Sequence, residues 1–221
     1  MHIFSELIDF IRNLDVVLAG WINTYGAWTY GLLFTIVFAE TGLVIFPFLP
    51  GDSLLFTAGL LSHESRTGLN VWFVSLTFIL AAFFGDNVNY YLGKTFGHKA
   101  FKSDDAKIFK KSHLQKTNWF FENYGAKTLI MARFVPFVRT FAPFVAGMGA
   151  MTYQKFIFWS IIAAVIWVTV CVGAGYFFGG LPVVKDNFEL AILGIIAVSV
   201  IPPAIEIIRH KMKKKKAETS A

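Results

Sequence analysis

The chain has 221 residues, of which 56% are hydrophobic, 17% are aromatic and only 15% are charged. Soluble domains carry roughly 25% charged residues, so this composition excludes an ordinary water-soluble fold and predicts an integral membrane protein. The single cysteine, Cys171, excludes an intramolecular disulfide and a cysteine metal cluster. We therefore expect neither a metal nor a cofactor.

The first predicted element is an amphipathic helix at residues 1–20. Its polar residues share one helical face and its apolar residues share the other. This pattern is typical of a helix that lies in the membrane interface and does not cross the bilayer.

Residues 27–61 form an apolar stretch that is interrupted at its centre by Pro47 and by Pro50-Gly51. The stretch is too long for one span of about 20 residues and too short for two. Because proline removes helical hydrogen bonds, the chain is expected to turn at these positions. We predict a re-entrant helical hairpin with Glu40 on its first arm.

The next predicted elements are a span at residues 71–93 and a basic, polar segment at residues 100–123. The span contains Asp86, which is interpreted either as part of a helix-packing polar network or as the wall of a site. We expect Tyr90 to join that network. The basic segment is predicted to be a cytoplasmic helix or loop.

A second broken apolar segment occupies residues 128–151. It is interrupted at Pro136 and Pro143, and Arg133 and Arg139 flank the first of these prolines. The segment forms either one kinked span or a second re-entrant hairpin, and the hairpin is favoured because both flanking segments are assigned to the same side of the membrane.

Two further spans are predicted at residues 156–180 and 188–208, followed by a basic tail at residues 209–221. Lysine and arginine residues concentrate in this tail and between residues 94 and 127. Because basic loops stay in the cytoplasm, the C-terminus is predicted to be cytoplasmic. The two hairpins then enter from opposite sides, which is an inverted repeat of the kind found in alternating-access carriers.

Five ionisable residues lie inside these apolar stretches, and a lone charge at mid-bilayer costs about 2.5–3.5 kcal/mol. They must therefore face one another, water or a ligand. The five are Glu40, Asp52, Asp86, Arg133 and Arg139.

The two arginines and the first two acids predict different chemistry. Guanidinium groups suit bidentate binding of phosphate or carboxylate, although Arg133 and Arg139 could instead only neutralise the acids. Buried carboxylates such as Glu40 and Asp52 are suited to taking up and releasing protons. For Asp52 the alternative is a structural role, since an aspartate after Pro-Gly can cap the helix that follows.

Three blocks of the sequence resemble the signature blocks of the DedA family. They run from Glu40 to Asp52, from Gly85 to Gly93 and from Arg133 to Gly147. The resemblance implies an all-α membrane fold with two re-entrant hairpins. It also implies transport of lipid headgroups, notably recycling of undecaprenyl phosphate, linked to the proton-motive force. In that family an acidic pair and an arginine pair are required, and these match Glu40, Asp52, Arg133 and Arg139.

Together with the predicted topology, the resemblance implies a multi-pass protein of the bacterial inner membrane that carries a polyprenyl phosphate or a phospholipid. Anionic lipids are expected partners of the basic tail, nucleic acid is not, and a homo-oligomer is left open. The first alternative is a proton-coupled antiporter for small cations or drugs. A membrane lipid phosphatase is less favoured, because no histidine lies near the apolar acids to serve as nucleophile or base. We therefore expect that the protein is not an enzyme. A non-transporting assembly factor is the remaining alternative.

Overall fold

The computed structural model describes residues 13–43, 51–63, 67–100, 111–135, 138–178 and 181, and every regular element in this part of the chain is helical. The all-α prediction is thus confirmed for these residues. The α-helices are α1 (Leu14–Tyr25), α2 (Trp28–Gly42), α3 (Gly51–His63), α4 (Val71–Ala100), α5 (Lys111–Tyr124), α6 (Thr128–Ala132), α7 (Val138–Val145) and α8 (Tyr153–Phe178). A short 3-10 turn, Gly125–Lys127, precedes α6, and a π-type turn, Ala146–Ala150, follows α7.

Several predicted features lie outside the described residues. They are residues 1–12 of the predicted interfacial helix, Pro47, Pro50, Pro136, the predicted span 188–208 and the basic tail 209–221. The structure therefore tests neither the tip of the first broken segment nor the last span.

Within the residues that the structure describes, two helices are long and apolar enough to cross a membrane: α4, over Val71–Gly97, and α8. The 26 residues of α8 correspond to about 39 Å at 1.5 Å per residue, more than the roughly 30 Å of a hydrocarbon core. Helix α4 has an N-cap residue, Asn70, whose Oδ1 accepts a hydrogen bond of 2.9 Å from the backbone N–H of Trp72. It continues past the predicted end at residue 93 to Ala100.

The helices of the two broken segments pack in the same pattern. In each segment the first helix packs on the long helix that follows it, α2 on α4 and α6 on α8. The second helix packs mainly on the other long helix, α3 on α8 and α7 on α4. The described helices of both broken segments thereby pack against α4 and α8.

Glycines make this close packing possible. A Cβ atom at Gly59 of α3 would collide with the backbone of Val172 in α8, and one at Gly93 of α4 would collide with the backbone of Phe144 in α7. Small residues that let helix backbones approach are a usual feature of helix contacts within membranes.

Two local features differ from the sequence prediction. Helix α1 continues beyond residue 20 to Tyr25, because Leu14, Leu18 and Ile22 recur at four-residue spacing and form a buried stripe that packs on α3. Pro143 does not break the second segment as predicted, but lies buried inside α7. A proline at this point removes one backbone hydrogen bond, and the helix continues for two more residues before the π-type turn begins.

Candidate functional site

Arg139, at the start of α7, joins the two sides of the first broken segment. Its Nη1 donates to Asp52 Oδ1 at 2.7 Å, and its Nη2 donates to Glu40 Oε1. Glu40 is the third residue from the end of α2, and Asp52 is the second residue of α3. Carboxylates on either side of one break therefore share a single guanidinium from the other break.

Exposure decreases from one end of this group to the other. The side chain of Asp52 is 25% exposed, that of Arg139 is 12% exposed, and that of Glu40 is fully buried. Asp52 is therefore the most accessible member of the group, and Glu40 lies at its inner end.

A second, fully buried ion pair joins Arg133 to Asp86. Arg133 Nη2 donates to Asp86 Oδ2, and the same oxygen accepts a hydrogen bond of 2.5 Å from Ser160 Oγ of α8. Arg133 Nη1 is also buried, and it has no hydrogen-bond partner among the residues that the structure describes. Because orphaned buried donors are unusual in proteins, this N–H is available to an incoming acceptor.

Trp167 of α8 contacts both arginines and one of the acids. Its indole Nε1 donates to Asp52 Oδ1 at 2.7 Å. The guanidinium carbons of Arg133 and Arg139 lie 5.3 and 5.4 Å from the centroid of its ring, within the range of cation–π attraction. The tryptophan is fully buried.

Two further residues bring the broken segments together. Asn89 of α4 donates its Nδ2 to the carbonyl of Thr41 at 3.2 Å and to that of Thr140 at 2.6 Å. It thus ties α2 to α7 beside the shared guanidinium. Gly51 lies against the Glu40 carboxylate so closely that any Cβ atom there would overlap it, so the glycine lets the two sides of the first break meet.

Tyr90 does not join the Asp86 network as predicted. Its hydroxyl donates to the carbonyl of Met151 at 3.3 Å, and its ring stacks on Phe156 at a centroid distance of 4.5 Å. Tyr90 is four residues after Asp86, about one helical turn further along α4. It therefore packs α4 against the start of α8 and does not contact the ion pairs.

The structure thus places all five predicted ionisable residues in two neighbouring ion-paired groups. Both arginines are paired with acids, as the neutralisation alternative requires, so an anionic ligand would have to replace a carboxylate. The Asp52 carboxylate also contacts Arg139 and Trp167, and a role in helix capping alone would not require these contacts.

Sequence reasoning missed Trp167 and Ser160. Both lie in a span without charged residues, where a tryptophan or a serine carries no marker of function. Their spacing of seven residues places them on one face of α8, but only the position of that face beside the ion pairs indicates a role.

The two ion-paired groups together contain more negative than positive side chains. Three carboxylates face two guanidinium groups, so the fully ionised group carries one net negative charge and a single proton would neutralise it. An uncompensated charge in a dry interior is costly. The site is therefore suited to exchange of a proton or of another small charge.

Comparison with known proteins identifies the family. The VTT domain family matches residues 49–177. The chain is 54% identical over 211 residues to Protein DedA of Escherichia coli, with 96% of each chain covered. It is 39% identical over 203 residues to the uncharacterized membrane protein Rv0364 of Mycobacterium tuberculosis, covering 90% of this chain and 89% of the relative. It is 32% identical over 154 residues to the inner membrane protein YqjA of Escherichia coli, covering 70% and 69%.

No solved structure matches the chain. The matched domain covers more than half of the sequence, and the relatives named above cover most of it, two of them being named as membrane proteins. Together with the two membrane-length apolar helices, these similarities establish that the chain is a membrane protein of the DedA family.

Proposed function

We propose that this protein moves an anionic lipid headgroup, with undecaprenyl phosphate as the leading substrate, across the inner membrane in a step coupled to proton movement. The observation that carries the proposal is the position of Arg139, which bridges Glu40 and Asp52 where the two broken segments meet. Guanidinium groups bind phosphate and carboxylate with the same bidentate geometry. A phosphate group can therefore take the place of a carboxylate at this position.

Binding would begin at Asp52. Its side chain is the most exposed member of the group, so an arriving phosphate meets the Asp52–Arg139 pair before it meets the buried Glu40. The free Nη1 donor of Arg133 supplies a further hydrogen bond to the anion. The hydrophobic tail of the lipid stays in the bilayer, and only the head follows the polar path.

Proton coupling follows from the charges. The group already carries one excess negative charge when all of its carboxylates are ionised, and a phosphate would add at least one more. Because buried charges must be paired or neutralised, the displaced carboxylates would take up protons as the phosphate binds and release them as it leaves. Glu40 and Asp52 are the residues to which we assign this uptake.

The proposal includes the topology predicted from the sequence. The two broken segments are assigned as re-entrant hairpins of opposite orientation, with the basic tail in the cytoplasm against anionic lipid. The repeated packing of α2 on α4 and α6 on α8 supports two equivalent units. The four helices of the broken segments have 15, 13, 5 and 8 residues, fewer than the roughly 20 that a span requires.

A second candidate is a proton-coupled antiporter for a small cation, and the excess carboxylate favours it. In that case a cation would bind at Glu40 or Asp52 while the arginines hold the acids in place. The two candidates differ in the ligand that competes for the site, since polyprenyl phosphate would not affect a cation carrier.

Reconstituted vesicles provide the test. Purified protein is incorporated with a fluorescent undecaprenyl phosphate, and movement between leaflets is followed with and without an imposed pH gradient. We expect gradient-dependent movement that stops in Arg139→Ala and is competed by unlabelled polyprenyl phosphate. Cation-driven proton flux without lipid movement would support the antiporter, release of inorganic phosphate from a polyprenyl diphosphate would indicate a phosphatase, and neither activity would leave an assembly role.

A further inference from the structure

We propose that Trp167 is the positioning residue of this site: it holds both Arg133 and Arg139 against its ring and keeps Asp52 in place while Arg139 exchanges its partners. The inference rests on the proposed function for the identity of the exchanging anion. It goes beyond that function by assigning a role to an uncharged residue of α8.

The first argument concerns the two cations. Both guanidinium groups lie at nearly the same distance, 5.3 and 5.4 Å, from one indole ring. Two like charges held close together in a dry interior repel each other, and each needs a stabilising contact that does not disappear when a carboxylate leaves. The electron-rich face of an indole is such a contact.

The second argument concerns Asp52. One oxygen, Oδ1, accepts hydrogen bonds from both Arg139 Nη1 and Trp167 Nε1, each at 2.7 Å. When a phosphate takes Arg139 away from this carboxylate, the indole N–H remains bonded to it. Asp52 then stays in position with a satisfied oxygen and is ready to pair with Arg139 again after release.

The third argument is that Trp167 itself does not change. The indole carries no ionisable group, and the side chain is fully buried in α8 among packed apolar residues. The indole therefore keeps its own charge state whatever the protonation of its neighbours. Trp167 is a fixed reference point around which the charged side chains rearrange.

Two substitutions separate the contributions of the ring and the N–H group. Trp167→Phe keeps an aromatic face but removes the hydrogen bond to Asp52, and we expect it to alter the pH dependence of transport more than the apparent affinity for lipid. Trp167→Leu removes both contacts, and we expect the Michaelis constant for the lipid to rise by about tenfold to a thousandfold, as loss of two cation–π contacts implies.

Phe78→Leu is the matched control. Phe78 is a fully buried aromatic residue of α4 in the same apolar core as Trp167, and its replacement by leucine also removes a buried ring. We expect this variant to lower thermal stability while leaving the Michaelis constant and the pH profile unchanged. Equal effects of the two variants on both kinetic properties would overturn the inference, because the tryptophan would then act only through packing.

A spectroscopic measurement makes the test independent of transport. Fluorotryptophan replaces the six tryptophans, and the fluorine NMR signal of Trp167 is assigned as the one lost in Trp167→Phe. We expect this signal to shift in Arg139→Gln, in Asp52→Asn and on addition of a short-chain polyprenyl phosphate, while the signals of exposed Trp28 and Trp72 do not. No shift in either variant would overturn the inference.

The outcomes also separate this inference from the proposed function. If the Trp167 signal responds to both variants but the vesicles move no lipid phosphate, the positioning role is supported and the carrier proposal fails. If the vesicles move lipid and Trp167→Leu does so with the wild-type Michaelis constant and pH profile, the carrier stands and the positioning role is overturned.

Discussion

Replacing Asp86 by asparagine removes the carboxylate that pairs with Arg133 and leaves the shape of the side chain nearly unchanged. The two side chains are only 5% and 3% exposed, so water cannot replace the lost partner. Removing one member of a buried pair costs about 3–5 kcal/mol, and every 1.4 kcal/mol is roughly a factor of ten in an equilibrium constant. We therefore expect the folded-to-unfolded ratio to decrease by about two to four orders of magnitude.

The native cysteine of the chain can be used to follow its unfolding. Cys171 is the only cysteine and is buried in α8, so a thiol-reactive dye reports its exposure as the detergent-solubilised protein is unfolded by heat or denaturant. Glu122→Gln, in the exposed part of α5, is the control, because it also removes one negative charge. We expect that control to change the free energy of unfolding by less than about 0.5 kcal/mol.

A double substitution tests whether the loss comes from the unpaired cation. Replacing a whole buried ion pair by apolar residues of similar volume is often neutral or stabilising by about 1–4 kcal/mol. We therefore expect Asp86→Leu combined with Arg133→Met to recover most of the stability that Asp86→Asn loses, although transport should not return. The reasoning would be refuted if Asp86→Asn unfolded like Glu122→Gln, or if the double variant were the least stable of the set.

Three further predictions concern the proposed function. Arg139→Lys should recover little of the transport lost in Arg139→Ala, because an ammonium is a point charge without the guanidinium fork; full activity with lysine in the vesicle assay would argue against bidentate binding. Glu40→Gln and Asp52→Asn should each abolish the dependence of transport on the pH gradient, and a wild-type response in Asp52→Asn alone would reduce Asp52 to a structural residue. Single cysteines at Lys127 and Tyr153, in a background without the native cysteine, should react with an impermeant thiol reagent from the same side of the membrane; labelling from opposite sides would eliminate the second hairpin.

The grouping of the five charged residues could be predicted from the sequence, because the free-energy cost of placing a charge in the bilayer is a property of each residue separately. Each of these charges is unfavourable in the hydrocarbon core wherever its segment lies in the membrane, so each needs a partner. The choice of partner was not predictable. Asp86 pairs with Arg133, and Glu40 and Asp52 share Arg139, although charge alone permits every other combination.

The same distinction explains the residues that were missed or misjudged. Trp167 and Ser160 carry no charge, so no energetic penalty in the sequence required them to have a partner. Tyr90 was assigned to the wrong network because its sequence distance from Asp86 is short, whereas its direction on α4 leads to Phe156 and Met151.

The sequence by itself determined that this chain is helical and membrane-embedded, that two of its apolar segments contain proline breaks, and that its buried charges must compensate one another. These properties follow from local composition and from the cost of polar groups in hydrocarbon. Only the tertiary structure decided that α2 and α7 meet at Asn89, that the helices of both broken segments pack on α4 and α8, and that one indole contacts both arginines. Those contacts depend on the relative rotation and depth of helices far apart in the chain, and close packing at residues such as Gly59 and Gly93 fixes these quantities.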